Sequence, residues 1–438
     1  MNPLLTPAEA EQAQQRVAGA LASLSPGDRL ALVVPGGPPL VTAACAALRV
    51  GVIPVVLDPA TPAEELAALL ADAEPSLVID TAEALAELHA GEPAELRPVP
   101  LGRPMHYTSG TTGRRKGVWS GVLDTRDAAA LWGEERELWN FRASDVHMVV
   151  SPLYHSAPLR FAIGTLLAGG SVLVPGRFEP SSFLEAAVRY RPNTMFTAPA
   201  QLQRLRELDN PATAEVLGGL RLLAHAGAPC PEAVKRWLLE HAPREAIWEF
   251  YGSTEGQFTA CSAADWERHP GTVGRARPGR TLSTDGDGAI WCTVPEYARF
   301  SYWRAPEKTA AAWRGNAFSV GDLGRLDADG YLYLDGRRDD LVITGGVNVY
   351  PLEVERVLEN CPGVREIAVY GVDDERWGQR VEAAVVGNVQ GLDAYAKVHL
   401  APAQRPKSVH VLEALPRTTT GKVLRSQLRT SAQKAPDY

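Results

Sequence analysis

The sequence predicts an α/β protein with a large N-terminal domain of doubly wound sheets and a small β-barrel, followed by a small α+β C-terminal domain. Three observations support this prediction. Short apolar runs alternate with helical stretches as far as residue 251. Short alternating runs separated by Gly-Asp turns follow over residues 271–335, and a mixed strand and helix pattern begins near residue 340. A chain of 438 residues also exceeds what one hydrophobic core usually supports, so at least two domains are expected.

The first half of the chain shows the alternation most clearly. Before the Thr/Ser/Gly-rich stretch at 107–117, strands are predicted at 29–34, 52–57 and 76–79, and helices at 7–24, 41–48 and 62–72. After it, strands are predicted at 146–150, 171–174, 194–198, 220–225 and 247–251, and helices at 125–138, 160–169, 181–190, 199–208 and 231–241. Ligands of such sheets bind beyond the carboxyl ends of the strands. The loops after Ala198, His225 and Phe250 are therefore expected to carry a site.

The second half divides into two further regions. Residues 271–335 are expected to form a small antiparallel barrel, because their apolar residues alternate with a period of two between turns. Strands near 341–343, 367–370 and 382–386 and a helix over 351–360 indicate a separate C-terminal domain of about 100 residues. We therefore predict an N-terminal domain over 1–338 and a C-terminal domain over 339–438.

Composition excludes several classes of protein. The net charge of −8 argues against nucleic acid or an anionic membrane as a partner. The five cysteines are scattered without a C-x-x-C pair, which favours reduced thiols over a disulfide framework or a zinc site. Neither a signal peptide nor an apolar run of about 18 residues is present, so we expect a cytoplasmic protein without a membrane span.

Residues 107–117, with the sequence YTSGTTGRRKG, carry the strongest functional signal. Glycines allow backbone N–H groups to surround an anion, hydroxyls add donors, and a lysine supplies a point charge. The spacing does not fit a Walker loop, and the residues after it are extended, so the loop is expected to join two strands. A polar hairpin without a ligand is the alternative. The candidate phosphate-binding residues are Thr108, Ser109, Gly110, Thr111, Thr112, Gly113 and Lys116.

Two later stretches also carry side chains suited to a nucleotide. Tyr251 follows a strand and can stack on a planar base, and Glu255 offers oxygen ligands suited to Mg²⁺. Asp322 can accept both hydroxyls of a ribose diol, and Arg337 can support it or bind phosphate. Taken alone, each of these stretches is equally consistent with an ordinary turn of small polar residues.

Residues 108–117 resemble the phosphate loop of the adenylate-forming superfamily, which includes acyl-CoA synthetases, adenylation domains of peptide synthetases, and luciferases. Further stretches resemble its other signatures in the same order, over about residues 26–430. They are HAGAP at 225–229, YGSTE at 251–255, GDLG at 321–324, GRRDD at 336–340 and PRTTTGKV at 416–423. The chain departs from the family by a short region before the phosphate loop, a shortened barrel, and Ala226 in place of a glycine.

The resemblance implies a nucleotide site and a catalytic lysine. Tyr251 and Gly252 would contact the adenine on one face, and the backbone of Gly227, Ala228 and Pro229 would lie on the other. Thr254 would contact a phosphate, Glu255 would bind Mg²⁺, and Asp322 and Arg337 would hold the ribose and phosphate region. Lys422, together with Lys116, would neutralise the charge that develops during adenylation. Domain closure about Asp339 would bring Lys422 to the reacting groups.

The resemblance also implies a pocket for a carboxylic acid and a tunnel for CoA. Gly345 and Gly346 would line the tunnel. The acid-pocket candidates are Tyr154, His155, Ala157, Leu159, Arg160, Ala198 and Gln201. These side chains favour a fatty or aromatic acid, although Arg160 could pair with a second carboxylate.

The expected reaction is therefore ATP-dependent ligation of an acid to CoA through an acyl-AMP, with ATP, Mg²⁺ and CoA as the small molecules required. Two alternatives stay open at this point. The acyl group could be loaded onto a carrier-protein pantetheine or another acceptor, or the chain could be a non-catalytic nucleotide-binding homologue. The intact Lys116, Glu255, Asp322, Arg337 and Lys422 argue against the second alternative. A monomer or a homodimer is expected.

Overall fold

The computed structural model describes residues 2–108, 115–417 and 423–434, with side chains described as far as residue 430. The described chain forms two compact units. Unit 1 comprises residues 1–281 and 292–318, and unit 2 comprises residues 282–291 and 319–438. The predicted boundary at residue 338 does not coincide with these units, because residues 282–291 and 319–338 cluster with the C-terminal part of the chain. The interdomain hinge at Asp339 stays a prediction.

A three-stranded parallel sheet with the strand order β3-β2-β4 opens unit 1. β2 and β3 are apolar and buried along most of their length, which is typical of parallel strands, whereas Val78 at the centre of β4 is exposed. The first helix begins with a capping box in which Thr6 and Glu9 bond each other's backbone N–H groups. The elements of this region are β1 (Leu4–Leu5), α1 (Pro7–Ala20), β2 (Arg29–Leu32), α2 (Pro38–Arg49), β3 (Ile53–Val56), α3 (Ala63–Ala73), β4 (Leu77–Ile79) and α4 (Ala82–Leu88).

An eight-stranded sheet forms the larger part of unit 1. Its order is β1-β8-β7-β9-β10-β11-β12-β13, and the strands from β8 to β11 run parallel to one another. Its strands after β1 are β7 (Val146–Val149), β8 (Ser171–Leu173), β9 (Thr194–Thr197), β10 (Leu222–His225), β11 (Ile247–Glu249), β12 (Thr259–Ser262) and β13 (Arg275–Ala276). The accompanying helices are α5 (Thr125–Trp139), α6 (Ser156–Leu167), α7 (Pro180–Tyr190), α8 (Pro199–Glu207), α9 (Ala212–Gly218), α10 (Glu232–His241) and α11 (Ala263–Arg268). The predicted doubly wound alternation is confirmed.

Short antiparallel strands complete unit 1, as the alternating pattern predicted. β5 (His106–Thr108) pairs with β6 (Lys116–Trp119), and β6 pairs with β16 (Ser301–Tyr302). β18 (Ala317–Phe318) pairs with both β15 (Ile290–Thr293) and β17 (Trp313–Arg314). The helix α12 (Pro306–Ala312) precedes β17, and β14 (Thr281–Thr284) lies where the chain passes from unit 1 to unit 2.

Unit 2 contains two antiparallel hairpins and a mixed sheet around its own hydrophobic core. β24 is the central strand of the sheet, because it pairs with β23 along one edge and with β21 and β25 along the other. The strands are β19 (Asp322–Leu326), β20 (Leu332–Arg337), β21 (Val342–Thr344), β22 (Val347–Val349), β23 (Val364–Asp374), β24 (Gly378–Gly387) and β25 (Ser408–Val411). The helices are α13 (Pro351–Leu358), α14 (Leu392–His399) and α15 (Arg425–Lys434). The predicted α+β character of the C-terminal part is confirmed.

None of the helices in the described ranges combines the length and apolar composition that a membrane crossing requires.

Candidate active site

The Thr/Ser/Gly-rich stretch connects two antiparallel strands, as predicted. Thr108 at the end of β5 is the register partner of Lys116 at the start of β6. The Thr108 hydroxyl donates to the Lys116 carbonyl oxygen at 3.4 Å. The predicted phosphate contacts at residues 109–113 lie outside the described residues. The two strands therefore fix both ends of the loop, and Lys116 stands at its exit.

The next candidate turn, residues 251–257, follows β11 directly. Gly252 and Gln257 form a β-bridge, and the Ser253 N–H donates to the Gly256 carbonyl oxygen at 2.9 Å. A Cβ atom on Gly252 would lie 2.8 Å from backbone atoms across this turn, so glycine is required there by close packing. Thr254 and Glu255 form the tip of the turn.

Glu255 is held at both its side chain and its backbone. It is 6% exposed, and its Oε1 accepts a hydrogen bond from the Tyr302 hydroxyl at 2.8 Å. Its carbonyl oxygen accepts from Arg103 Nη1 at 3.1 Å. Burial lowers the pKa of Arg103 to about 10, with the charges of Arg160 and Arg280 acting in the same direction. One fixed carboxylate suits Mg²⁺, which usually binds through one or two carboxylates plus substrate phosphates. No cluster of three or more metal-ligating side chains occurs among the described residues.

The predicted adenine-binding segments follow two neighbouring parallel strands. His225 at the end of β10 is the register partner of Glu249 at the end of β11, so both segments begin at the same edge of the sheet. The Tyr251 ring lies 4.8 Å from the Phe258 ring, and its residue is largely buried. Gly227 is exposed and has a φ of +96°, a backbone conformation that favours glycine. Ala228 and Pro229 follow it at the surface.

A buried ionic network lies at the base of these two segments. Lys235 Nζ on α10 lies 2.6 Å from Glu249 Oε2 and 2.9 Å from His225 Nε2. The Lys235 and Glu249 side chains are 3% and 9% exposed. Burial moves the pKa of His225 well below its usual value, and the Lys235 charge adds to this effect. His225 is therefore neutral and accepts from the ammonium group, which ties the ends of β10 and β11 to α10.

The acid-pocket candidates at the start of α6 are distributed over two environments. Tyr154, His155 and Ala157 are half-buried, and the Tyr154 carbonyl oxygen accepts from His106 Nδ1 at 3.0 Å. Leu159 is fully buried within the hydrophobic core between α6 and the N-terminal sheet. Ala157 packs against an aromatic cluster formed by Trp139, Phe141, Phe161, Phe196 and Phe250.

Gln201, also interpreted from the sequence as a pocket residue, forms hydrogen bonds to the ends of two strands, and its contact with an acid stays a prediction. Its Oε1 accepts from the Ser151 hydroxyl at 2.7 Å and from the Ala198 N–H at 2.9 Å. Its Nε2 donates to the Val150 carbonyl oxygen at 3.1 Å. These bonds join the carboxyl ends of β7 and β9 and leave Ala198 half-buried at the start of α8.

Arg160 is the acid-pocket candidate that lines a cavity of about 60 Å³ in unit 1. The cavity extends from α6 to the turn that carries Thr254 and Glu255. Glu135 lies within it, and burial alone would raise its pKa, but Arg160 and Arg277 outweigh burial and lower it to about 2. The charged residues that line the cavity are Arg103, Glu135, Arg160, Glu255, Arg277 and Arg280.

The predicted residues of unit 2 fall on two hairpins. Asp322 and Arg337 are register partners in β19 and β20, and Arg337 Nε lies 3.3 Å from Asp322 Oδ1. Gly345 and Gly346, with φ values of +57° and +80°, form the turn between β21 and β22. Asp339 is exposed in the short turn after β20. Lys422 lies outside the described residues.

The family model of AMP-binding enzymes matches residues 4–101 and 104–283, and the model of their C-terminal domain matches residues 353–422. The chain belongs to the AMP-binding enzyme family. A feruloyl-CoA synthase from Amycolatopsis sp is 33% identical, with 97% of this chain and 93% of the relative covered. The long-chain-fatty-acid–CoA ligase FadD13 of Mycobacterium tuberculosis is 30% identical, with 97% and 92% covered. ATP-bound MatB from Rhodopseudomonas palustris has a TM-score of 0.85 and 31% identity, with 98% and 93% covered.

These matches place this AMP-binding enzyme in the acyl-CoA synthetase branch of the adenylate-forming superfamily, as the motifs predicted. The relatives named above are CoA ligases of an aryl acid and of fatty acids, which supports the ligase interpretation without defining the acid.

Three residues of the site were missed by the sequence motifs. Tyr302 bonds the Glu255 carboxylate, and Glu135 and Arg277 pair inside the cavity. Glu135 lies within an ordinary amphipathic helix, and Tyr302 lies in a two-residue strand, so neither carries a local signal. The Arg-rich turn around Arg277, with three arginines in residues 275–280, was the available indication of an anion-facing surface.

Proposed function

We propose that this enzyme activates a carboxylic acid with ATP and transfers the acyl group to the thiol of CoA. The observation that carries the proposal is the placement of Glu255. This carboxylate is buried, is bonded by Tyr302, and follows the strand whose end also carries Tyr251. A fixed acidic group beside an aromatic ring at the carboxyl edge of a parallel sheet suits a magnesium nucleotide. The CoA-ligase relatives supply the reaction class.

The proposed reaction has two balanced steps. A carboxylate oxygen attacks the α-phosphorus of ATP, a new P–O bond forms, and pyrophosphate leaves with the electron pair of the broken P–O bond. The CoA sulfur then attacks the acyl carbon, a C–S bond forms, AMP leaves, and the thiol proton passes to solvent. Because charge moves between phosphoryl oxygens in the first step, the protein contributes chiefly by positioning and by fixed positive charge.

Residues of unit 1 are assigned to the nucleotide and the acid. We assign Tyr251, Gly252 and the backbone of residues 227–229 to the adenine, and Thr254 with residues 108–113 to the phosphates. Glu255 fits Mg²⁺, which when bound supplies positive charge against the phosphates. Lys116 begins a strand whose register fixes it beside Thr108, so its charge is available at the loop. The half-buried Tyr154, His155, Ala157 and Ala198, together with Arg160, are assigned to the acid.

Residues of unit 2 are assigned to the ribose, the reacting groups and CoA. The paired Asp322 and Arg337 form a donor–acceptor pair suited to a ribose diol and an adjacent phosphate. Lys422 would stabilise the charge on the carboxylate and the α-phosphate. The turn at Gly345 and Gly346 presents backbone without side chains, which suits close passage of the pantetheine arm.

The test is product formation measured by mass spectrometry. The full chain is incubated with ATP, Mg²⁺ and a panel of fatty, aryl and dicarboxylic acids, with and without CoA. We expect an acyl-CoA for at least one acid, and a decrease in rate of about 100-fold or more in Lys422→Ala. Lys397→Ala, which removes an exposed lysine of the same unit, is the control and is expected to retain the wild-type rate.

Two outcomes would contradict parts of the proposal. Accumulation of acyl-AMP in the presence of CoA, without a thioester, would exclude CoA as the acceptor and refute the tunnel assignment of Gly345 and Gly346. An absence of both acyl-AMP and pyrophosphate for every acid in the panel would refute the adenylation reaction itself.

A further inference from the structure

We propose that the acid substrate is short and carries a second anionic group, and that Arg160 recognises this group. The inference rests on the proposed function, because it concerns the acid that the enzyme activates. It is carried by three observations on α6 and its neighbours. First, aromatic rings fill the space behind Ala157. Second, the Arg160 side chain has a buried donor without an acceptor among the described residues. Third, the charged groups around the cavity carry a net positive charge.

Aromatic side chains fill the space behind Ala157. Phe161 is fully buried one turn further along α6, and its ring lies 5.0 Å from Trp139 and 5.4 Å from Phe196. Phe250 closes the same cluster, 5.5 Å from Trp139. A long alkyl chain or an extended aromatic acid has no room on this side of the helix. The cavity that Arg160 lines, about 60 Å³, has room for about four waters or for a few non-hydrogen atoms of a ligand.

Arg160 is mostly buried, and its guanidinium donates no hydrogen bond to another described residue. Its side chain is 20% exposed, and within the part of the chain that the structure describes it makes no hydrogen bond. Its Nε lies 3.5 Å from Glu135 Oε2, which is beyond hydrogen-bonding distance for a charged pair. The guanidinium carbon lies 5.5 Å from the centre of the Phe250 ring. The Nε donor of Arg160 is therefore buried without a hydrogen-bond acceptor among the described residues, and the side chain that carries it lines the cavity.

The carboxylates near Arg160 already serve other groups. Glu135 Oε1 accepts from Arg277 Nη1 at 2.7 Å, and its Oε2 accepts from Trp139 Nε1 at 3.2 Å. Arg277 is 3% exposed, and its Nε has no partner among the described residues. Arg277 Nη2 also lies 3.6 Å from Glu134 Oε2, so Arg160, Arg277 and Arg280 together face the carboxylates of Glu134 and Glu135.

The neighbouring pair does not change this balance. Both oxygens of Glu134 accept from Arg280, at 3.1 and 2.8 Å, so that pair is neutral by itself. Arg160, Arg277 and Glu135 together retain one positive charge. Burial of an unbalanced charge costs free energy. A carboxylate that accepts two N–H hydrogen bonds from one arginine would neutralise this charge in a strong, specific geometry. An anionic group on the substrate would supply this carboxylate.

The same argument predicts discrimination against acids that lack the second group. A monocarboxylic acid of equal length would displace water from Arg160 and leave its donors unpaired. A site that hydrogen-bonds a polar group of its substrate strongly rejects an analogue that lacks the group, because the donors of the site are then left unpaired. An apolar site discriminates much less between its substrate and an analogue with one additional group. The competing explanation is that Arg160 only stacks on Phe250 and does not contact the acid.

The experiment compares acids of matched length in ATP–pyrophosphate exchange. Glutarate is paired with pentanoate, and succinate with butanoate, on the full chain with Mg²⁺. We expect kcat/KM for the diacid to exceed that for its partner by about 100-fold. In Arg160→Met this ratio is expected to fall about 100-fold, and in Arg160→Lys about 10-fold, because lysine keeps the charge but loses the fork. Arg204→Met, which removes an exposed arginine stacked on Phe178, is the control.

A calorimetric titration of glutarate without ATP separates the inference from the proposed function. Binding to the wild type but not to Arg160→Met, with no exchange for any acid, would refute adenylation and keep the anion site. Exchange with monocarboxylic acids at least as efficient as with diacids, or a ratio unchanged in Arg160→Met, would refute the inference and keep adenylation. Neither binding nor exchange would refute both. Should Arg160→Met fail to fold, the wild-type ratio and Arg160→Lys still decide the question.

Discussion

Replacement of Lys235 by methionine tests the buried network at the base of the predicted adenine-binding segments. Methionine is similar in length and lacks the charge, so the change removes the ion pair while it largely preserves packing. Glu249, 9% exposed, would then keep a buried carboxylate without its 2.6 Å partner, and His225 would lose its contact at Nε2. Removal of one partner from a buried pair typically costs about 3–5 kcal/mol. We expect a loss of this size in the free energy of unfolding of unit 1.

The assay is urea-induced unfolding followed by tryptophan fluorescence. Arg236→Met is the matched control, because Arg236 lies on the same helix and forms an exposed pair with Glu232, for which about 0–1 kcal/mol is expected. The double variant Lys235→Met with Glu249→Leu should recover most of the loss, since two apolar groups leave no unpaired charge. A loss below about 1 kcal/mol in Lys235→Met, or a double variant as unstable as the single one, would refute the reasoning.

Two further predictions concern magnesium and pH. Tyr302→Phe removes the bond to Glu255 and should raise the Mg²⁺ concentration needed for half-maximal activity about 10-fold; an unchanged requirement would show that this bond does not orient a ligand. Burial lowers the pKa of His106 to about 4 and of His147 to about 3, so below pH 6.5 the unfolded chain binds protons that the folded chain does not. Each of these histidines should lower the free energy of unfolding by about 1.4 kcal/mol per pH unit as the pH falls from 6.5 toward its folded pKa. A midpoint of urea unfolding that does not change between pH 7.5 and 5 would contradict this prediction.

The fold could be predicted because its signal is local. A parallel strand covered on both faces must be apolar along its length, whereas apolar residues recur about every 3.6 residues in a helix beside it. Each kind of element can therefore be recognised from its own residues. That the glycine-rich stretch joins two strands was predictable for the same reason, since the residues after it are extended; the register of Thr108 with Lys116 came from the structure. Motif order then indicated the family.

The charged wall of the cavity in unit 1 could not be predicted in this way. Glu135 and Arg277 meet across 142 positions of the chain, and Tyr302 reaches Glu255 across 47. Such pairs depend on how sheets and loops pack, which no local pattern encodes. The bonds of Gln201 are a further example, because its position after a strand does not reveal that its amide bonds backbone and hydroxyl groups.

The bonds of Arg103 have a consequence for the order in which the chain acquires its structure. Its guanidinium bonds Ser120, the Glu255 carbonyl oxygen and the carbonyl oxygens of residues 298 and 299, which joins segments up to 196 positions apart. Contacts at such separations form late, because the loops between them must close first. The backbone that presents Glu255 is therefore completed near the end of folding. We therefore expect newly synthesised chains to acquire helices and an apolar core well before the Glu255 carboxylate is ordered.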